Sequence, residues 1–240
     1  PEPGRRIMQM LLADARPAAE TAATARSRAM LLSLCIAQKA GFSGDRASYD
    51  ALENANLVAT LARRKGLPVT LSILYIERAR RLGWTACGLN FPGHFLVRID
   101  GPAARAVIDP FNDGALLTSA GLRHLLKSVA GETAELKPEY YAPASDRALL
   151  LRLQNNIKIR LLKGGDFPGA IATLRRMLLI APHEAEVWYE LGILEMHRGA
   201  RDKARAALEK CLSSLDIAQG PTDLRSRAQQ SLRELAASLS

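Results

Sequence analysis

The sequence predicts an α+β domain, in which a small antiparallel sheet packs on helices, followed by an all-α repeat domain. Three observations carry that expectation. Helical patterns occupy most of residues 5–82, and glycines close them. Three short strand-like runs then crowd into residues 86–109. From residue 147 onward the pattern is helical again, and it repeats every 34 residues.

The elements follow in chain order. Residues 5–40 read as helical, with Leu11, Leu12, Met30, Leu34 and Ile36 as apolar positions, Pro17 as a divider and Gly41 as the stop. A loop at 41–45 leads to a helix over 54–65. There Leu57, Val58 and Leu61 are expected to face inward, and Arg63, Arg64 and Lys65 to occupy the last turn, where cations suit the negative end of the helix dipole. Pro68 starts the next helix, 69–82, because a first helical residue needs no N–H. Ile73, Ile76, Ala79 and Leu82 form its apolar stripe, and Gly83 ends it. Strands are expected at 86–91, 94–99 and 106–109, with a helix over 116–129. Pro138 and Pro143 mark 138–146 as a linker between a domain at 1–137 and the repeats at 147–240.

In the repeats, Ile157 recurs as Leu191, Ala170 as Ala204 and Leu174 as Leu208. A step of 34 marks the tetratricopeptide helix-turn-helix. The second unit carries Trp188, Leu191, Gly192, Ala204 and Leu208 at the motif's positions. The first keeps Ala170, Leu174 and Pro182 but has Gln154 and Lys158 where the Trp and Gly fall. A closing helix is expected near 222–238.

Composition bounds the function. The chain has 240 residues, 48% hydrophobic and only 5% aromatic, a mix that favours helix over sheet. Net charge is +9, spread evenly: residues 1–144 hold 18 basic and 13 acidic side chains, and residues 145–240 hold 15 and 11. The one basic run, Arg63-Arg64-Lys65, has no interleaved aromatics, which argues against nucleic acid. No apolar run reaches the roughly 18 residues of a bilayer span and no signal-like segment opens the chain, so the cytoplasm is the expected compartment. Cys35, Cys87 and Cys211 are too few and too scattered for a disulfide framework, and Cys35 and Cys211 read as core residues. His124, His183 and His197 show no metal-ligand spacing. No metal or cofactor is expected.

Three segments concentrate the chemistry: Gly66-Leu67-Pro68-Val69-Thr70-Leu71-Ser72 at a helix start, Pro92-Gly93-His94-Phe95-Leu96-Val97 entering a strand, and Ile108-Asp109-Pro110-Phe111 leaving the next. Together they resemble the transglutaminase-like superfamily. The whole chain is similar to the bacterial family that joins a divergent transglutaminase-like domain to tetratricopeptide repeats, over about residues 40–215. In active relatives a Cys at the helix start is made nucleophilic by the dipole, a His takes its proton, and an Asp orients the His. The resemblance implies His94 and Asp109 for the last two roles and puts Pro68 at the nucleophile's position. Proline has no nucleophilic atom.

The expectation is therefore a non-catalytic protein. Its repeat groove, with a degenerate cleft near Thr70, Ser72, His94 and Asp109, would hold a protein or peptide partner. The alternative is a residual hydrolase or acyl transferase using Cys87, Ser72 or Thr70 with His94 and Asp109. The structural reading of the pair is a His–carboxylate hydrogen bond between strands, or an Asp-Pro turn at a strand end.

Overall fold

The computed structural model describes residues 2–218 and 222–237, and the side chains of Leu11 and Leu12 lie outside what it describes. Two compact units result, Pro1–Leu149 and Leu150–Ser240. In the first, helix α1 (Glu2–Ala19) keeps Pro17 inside its last turn, so the chain breaks at residues 20–24 and not at the proline. A ring there removes one backbone bond that the turn can do without, two residues before the end. Helix α2 (Ala25–Ser33) starts on a capping box between Thr24 and Ser27 and widens into a π-helical turn, Leu34–Lys39.

Strand β1 (Ser43–Gly44) and strand β2 (Lys65–Gly66) form a parallel bridge. Between them lie a 3₁₀ turn, Leu52–Ala55, and helix α3 (Leu57–Arg63), capped by Asn56, whose side chain accepts the Val58 and Ala59 N–H groups. This corrects the expected helix of 54–65. Arg64 turns left-handed at φ 57° and Lys65 joins β2, which leaves Arg63 as the only cation in the last turn. Val58 points outward at 63% exposure.

Helix α4 (Pro68–Arg81) is the centre of the unit. Leu71, Leu74, Tyr75 and Ala79 are fully buried, and so are Thr70 and Ser72, so the helix is covered nearly all round and not along one stripe. Strands β3 (Ala86–Leu89), β4 (Leu96–Asp100), β5 (Arg105–Asp109) and β6 (Ala115–Leu117) form an antiparallel meander. Strand β7 (Pro143–Ala144) adds to the far edge of β3, giving the order β6-β5-β4-β3-β7. The pleat sorts the side chains. Cys87, Leu89, Leu96 and Val107 face a cluster completed by Leu122 and Leu126 of helix α5 (Ser119–Ala130). Val97, Ile99 and Ile108 are buried on the opposite face, where α2 and α4 contact the sheet.

Two expectations shift here. Residues 116–117 are strand, so α5 starts at Ser119. Residues 138–146, expected as a linker, carry the 3₁₀ turn Pro138–Tyr141 and β7. Arg80 then makes two hydrogen bonds to Asp146, at 2.7 and 2.9 Å, in the first turn of helix α6 (Asp146–Lys163).

The second unit contains the remainder of α6, then α7 (Phe167–Ile180), α8 (Ala185–His197), α9 (Arg201–Ala218) and α10 (Thr222–Ala237). Its repeat positions behave as spacing demands: Ala170, Leu174, Ala204 and Leu208 are all at 0% exposure. A Cβ on Gly192 would stand 2.7 Å from the Leu208 side chain, which explains the small residue at that position. Trp188 packs against the clusters on both sides of α8 and donates its indole N–H to Pro182 O at 2.8 Å. Cys35 and Cys211 are core residues, at 1% and 0%.

Candidate functional site

Pro68 is the first residue of α4, and the N-cap Leu67 offers no capping side chain. What fixes this helix start is Asn54, at 0% exposure. Its carbonyl accepts the Leu67 N–H at 3.1 Å and the Thr70 hydroxyl at 2.6 Å. Its amide donates to Ser48 O at 2.6 Å, and its Oδ1 accepts from Arg63 at 2.9 Å. Arg63 also bridges to Asp45 at 2.8 Å. The Ser48 N–H, with Arg63 and Asn54 behind it, holds the Asp45 carboxyl below its ordinary range. The loop at 45–48, α3 and the first turn of α4 therefore share one buried polar centre.

Ser72 lies one turn further in. Its hydroxyl donates to Pro68 O at 2.7 Å and lies 3.4 Å from Phe95 O. Thr70 and Ser72 thus direct their protons at backbone carbonyls and are closed to solvent. His94 is half-buried and sits in the turn before β4, not on the strand. Its backbone N–H bonds to Phe91 O at 3.0 Å.

Asp109 ends β5 and turns its carboxylate back on its own loop. Oδ1 accepts the Phe111 and Asn112 N–H groups at 3.0 and 3.2 Å, and Oδ2 accepts from the Asn112 amide. This is an Asx turn, and it occupies both oxygens. The loop it shapes docks on β1. Phe111 O accepts from Gly44 N at 3.2 Å, the Phe111 ring meets Tyr49 edge-on at 5.7 Å, and Arg46 bonds Asn112. Among the described residues, no hydrogen bond joins His94 to Asp109.

Cys87 lies apart from this neighbourhood for two reasons. Its side chain faces the α5 side of the sheet, opposite the face that α4 covers. Its strand partner is Arg98, four residues beyond His94, a displacement of about 13 Å along the ladder. Burial also pushes its thiol up, in spite of Arg98, Arg80 and Arg105 nearby. The sign is unfavourable to a nucleophile, since the thiolate is the reactive form. Iodoacetamide should accordingly label Cys87 more slowly than free cysteine at pH 7, and the rate should rise with pH and still be rising at the ordinary thiol value of 9.0. Mass-resolved alkylation rates from pH 6 to 10 check this, and a plateau already reached at pH 7 would contradict it.

The three segments singled out in the sequence lie at the start of α4, in the turn before β4 and at the end of β5. Asn54, Asp45 and Asn112, which shape those segments, were not singled out, and Arg63 was read only as a last-turn cation in a basic run. Asn56 had a readable signal, as an N-cap before Leu57, but Asn54 had none, because its partners come from three separate segments. Among the described residues no group of three or more His, Cys, Asp or Glu side chains could hold a metal ion, and no helix is long and apolar enough to cross a membrane.

A helix opening on Gly-x-Pro, a Gly-His turn and an Asp-Pro corner, set around an antiparallel meander and followed by paired helices at a 34-residue step, define a transglutaminase-like domain joined to tetratricopeptide repeats. The chain belongs to the transglutaminase-like superfamily, whose family description matches residues 4–155, and a tetratricopeptide repeat family matches residues 157–237. A UPF0162 protein of Xylella fastidiosa is 33% identical over 178 residues, 73% of this chain and 63% of its own length. A UPF0162 protein of Pseudomonas aeruginosa is 34% identical over 137 residues, 55% of this chain and 50% of its own length. The chain therefore spans less than two thirds of these relatives. Human F-box only protein 21 is 39% identical over 71 residues, 30% of this chain and 11% of that protein.

Proposed function

We propose that this chain is a non-catalytic transglutaminase-like protein that acts as an interaction or scaffold module through its repeat domain and degenerate cleft. The observation that carries the reading is the use made of the position to which the resemblance assigns the nucleophile. Pro68 there serves the helix start. Asp109, assigned to orient the His, serves its own turn, and the hydroxyls of Thr70 and Ser72 serve backbone carbonyls. Each residue thus has a structural duty that accounts for its presence without catalysis. Nothing in the geometry favours Cys87, Ser72 or Thr70 as a replacement nucleophile. The repeats supply the recognition surface, because stacked helix pairs expose long grooves.

The test has two arms. On panels of amides and esters, the unsubstituted chain and Pro68→Cys are both expected to stay at background. A working general base contributes about 10²- to 10⁴-fold, so turnover of that size that vanishes in His94→Ala would overturn the reading. In the second arm, peptide display against the full chain is expected to enrich a consensus. A selection returning only random sequences would count against a recognition role.

A further inference from the structure

We infer that the face formed by α7, α8 and α9 binds an acidic amphipathic helix; this rests on the recognition role proposed above and specifies its partner. A groove of about 580 Å³ runs there, within the second unit, with Trp188 and Leu191 of α8 as an apolar floor. Its charge is the informative feature. Glu195 lies in the floor at 1% exposure, a carboxylate that would be costly to bury alone. Two arginines neutralise it: Arg175 of α7 reaches Oε1 at 2.7 Å, and Arg198 reaches Oε2 at 2.6 Å. Both oxygens are thereby occupied, and the half-exposed Arg175 guanidinium is held at the groove's edge.

The opposite edge is α9. Lys203 and Lys210 line it, both exposed, and neither forms an ion pair among the described residues. They are seven residues apart, two helical turns, which sets their backbones about 10.5 Å apart on one face. Between them Ala206 and Ala207 present little bulk over the Trp188 and Leu191 floor. Glu209 is the single lining acid without a cation. Three cations, Arg175, Lys203 and Lys210, thus line an apolar strip with two carboxylates, Glu195 and Glu209, and the two lysines are unpaired among the described residues.

That arrangement selects its occupant. An apolar strip about two turns long takes the i, i+3, i+4, i+7 face of a helix. Unpaired ammonium groups two turns apart match carboxylates at i and i+7 on that helix, and disfavour cations there. This groove is built from the second helices of both repeat units, α7 and α9, with α8 as its floor.

The experiment uses the full chain and three 14-residue peptides with identical Leu positions, carrying Glu, Gln or Lys at the flanking positions, measured by fluorescence polarisation at 50 and 300 mM salt. The Glu peptide should bind at least fivefold more tightly than the Gln peptide at low salt, as expected of about two exposed charge pairs. That advantage should shrink at 300 mM, and the Lys peptide should bind most weakly. Lys203→Glu/Lys210→Glu changes only exposed side chains. It should weaken the Glu peptide about tenfold or more and make the Lys peptide the better ligand. Equal binding of all three peptides, no binding of the Glu peptide, or a double variant that leaves the order unchanged would each overturn the inference. None of these would touch the broader recognition role, which falls only if the display selection enriches nothing.

Discussion

Replacing Gly192 by leucine is expected to lower the stability of the repeat unit by about 3 kcal/mol, at the upper end of the usual cost of overpacking. A Cβ alone would stand 2.7 and 2.8 Å from Leu208 Cγ and Cδ2, and the Ala204 carbonyl is 3.4 Å away. Leu208 and Ala204 are at 0% exposure and cannot move aside without displacing the Cys211 and Leu215 layer behind them. Alanine at the same site gains up to about 1 kcal/mol in helix propensity, which offsets part of its smaller clash. The two substitutions should therefore separate clearly. Thermal melts followed by far-UV circular dichroism should show Gly192→Leu losing more than about 10 °C in the repeat transition. Hydrogen exchange should rise in α8 and α9 and not in the sheet. An unchanged melt would mean that α8 and α9 do not approach as closely as the geometry requires.

The second large effect is expected at Asn54. Alanine there removes the bond to Ser48 O, which keeps the Ala51 N–H, and the charge-assisted bond from Arg63. The cost should be about 2–3 kcal/mol. The bonds from the Leu67 N–H and the Thr70 hydroxyl to the Asn54 carbonyl survive, so α4 should persist while the 45–48 loop and the Asp45–Arg63 pair loosen. Amide exchange localised to Ser48 and its neighbours, with a lower urea midpoint for the first unit, is the expected signature. Wild-type protection at Ser48 would show that the asparagine side chain contributes little.

How much of this was legible follows from the physics of each element. Helix α4 was readable because Pro68 and Gly83 punctuate it and its apolar period is strong. Its burial on nearly every side was not, since Thr70, Ser72 and Arg78 look like a polar face until their partners are known. Strands β3 to β5 announced themselves by composition. Strands β1, β2 and β7 are two residues each, below the length at which alternation can be seen. Pro17 was read as a boundary because proline disfavours helix interiors, yet the last turn tolerates it. The repeat register came through at Ala170, Leu174, Ala204 and Leu208, because spacing alone places these residues inward. At the candidate site the sequence delivered the residues and withheld their orientation. Whether Asp109 reaches for a histidine or for its own loop depends on Asn112 and on a docking partner some 65 residues earlier at Gly44.

The strand order also has a kinetic consequence. The pairs β3–β4, β4–β5 and β5–β6 join neighbours along the chain, so the meander can zip from local contacts with little loop-closure entropy. Strand β7 pairs with Leu89, through Pro143, only after the 53 residues between them have been brought round. Such a two-residue closure belongs late on the folding route, after the rate-limiting barrier. Changes at β7 then act chiefly on how fast the first unit unfolds and leave its folding rate nearly untouched. The edge of the sheet works as a kinetic latch, closing a structure whose nucleus has already formed elsewhere.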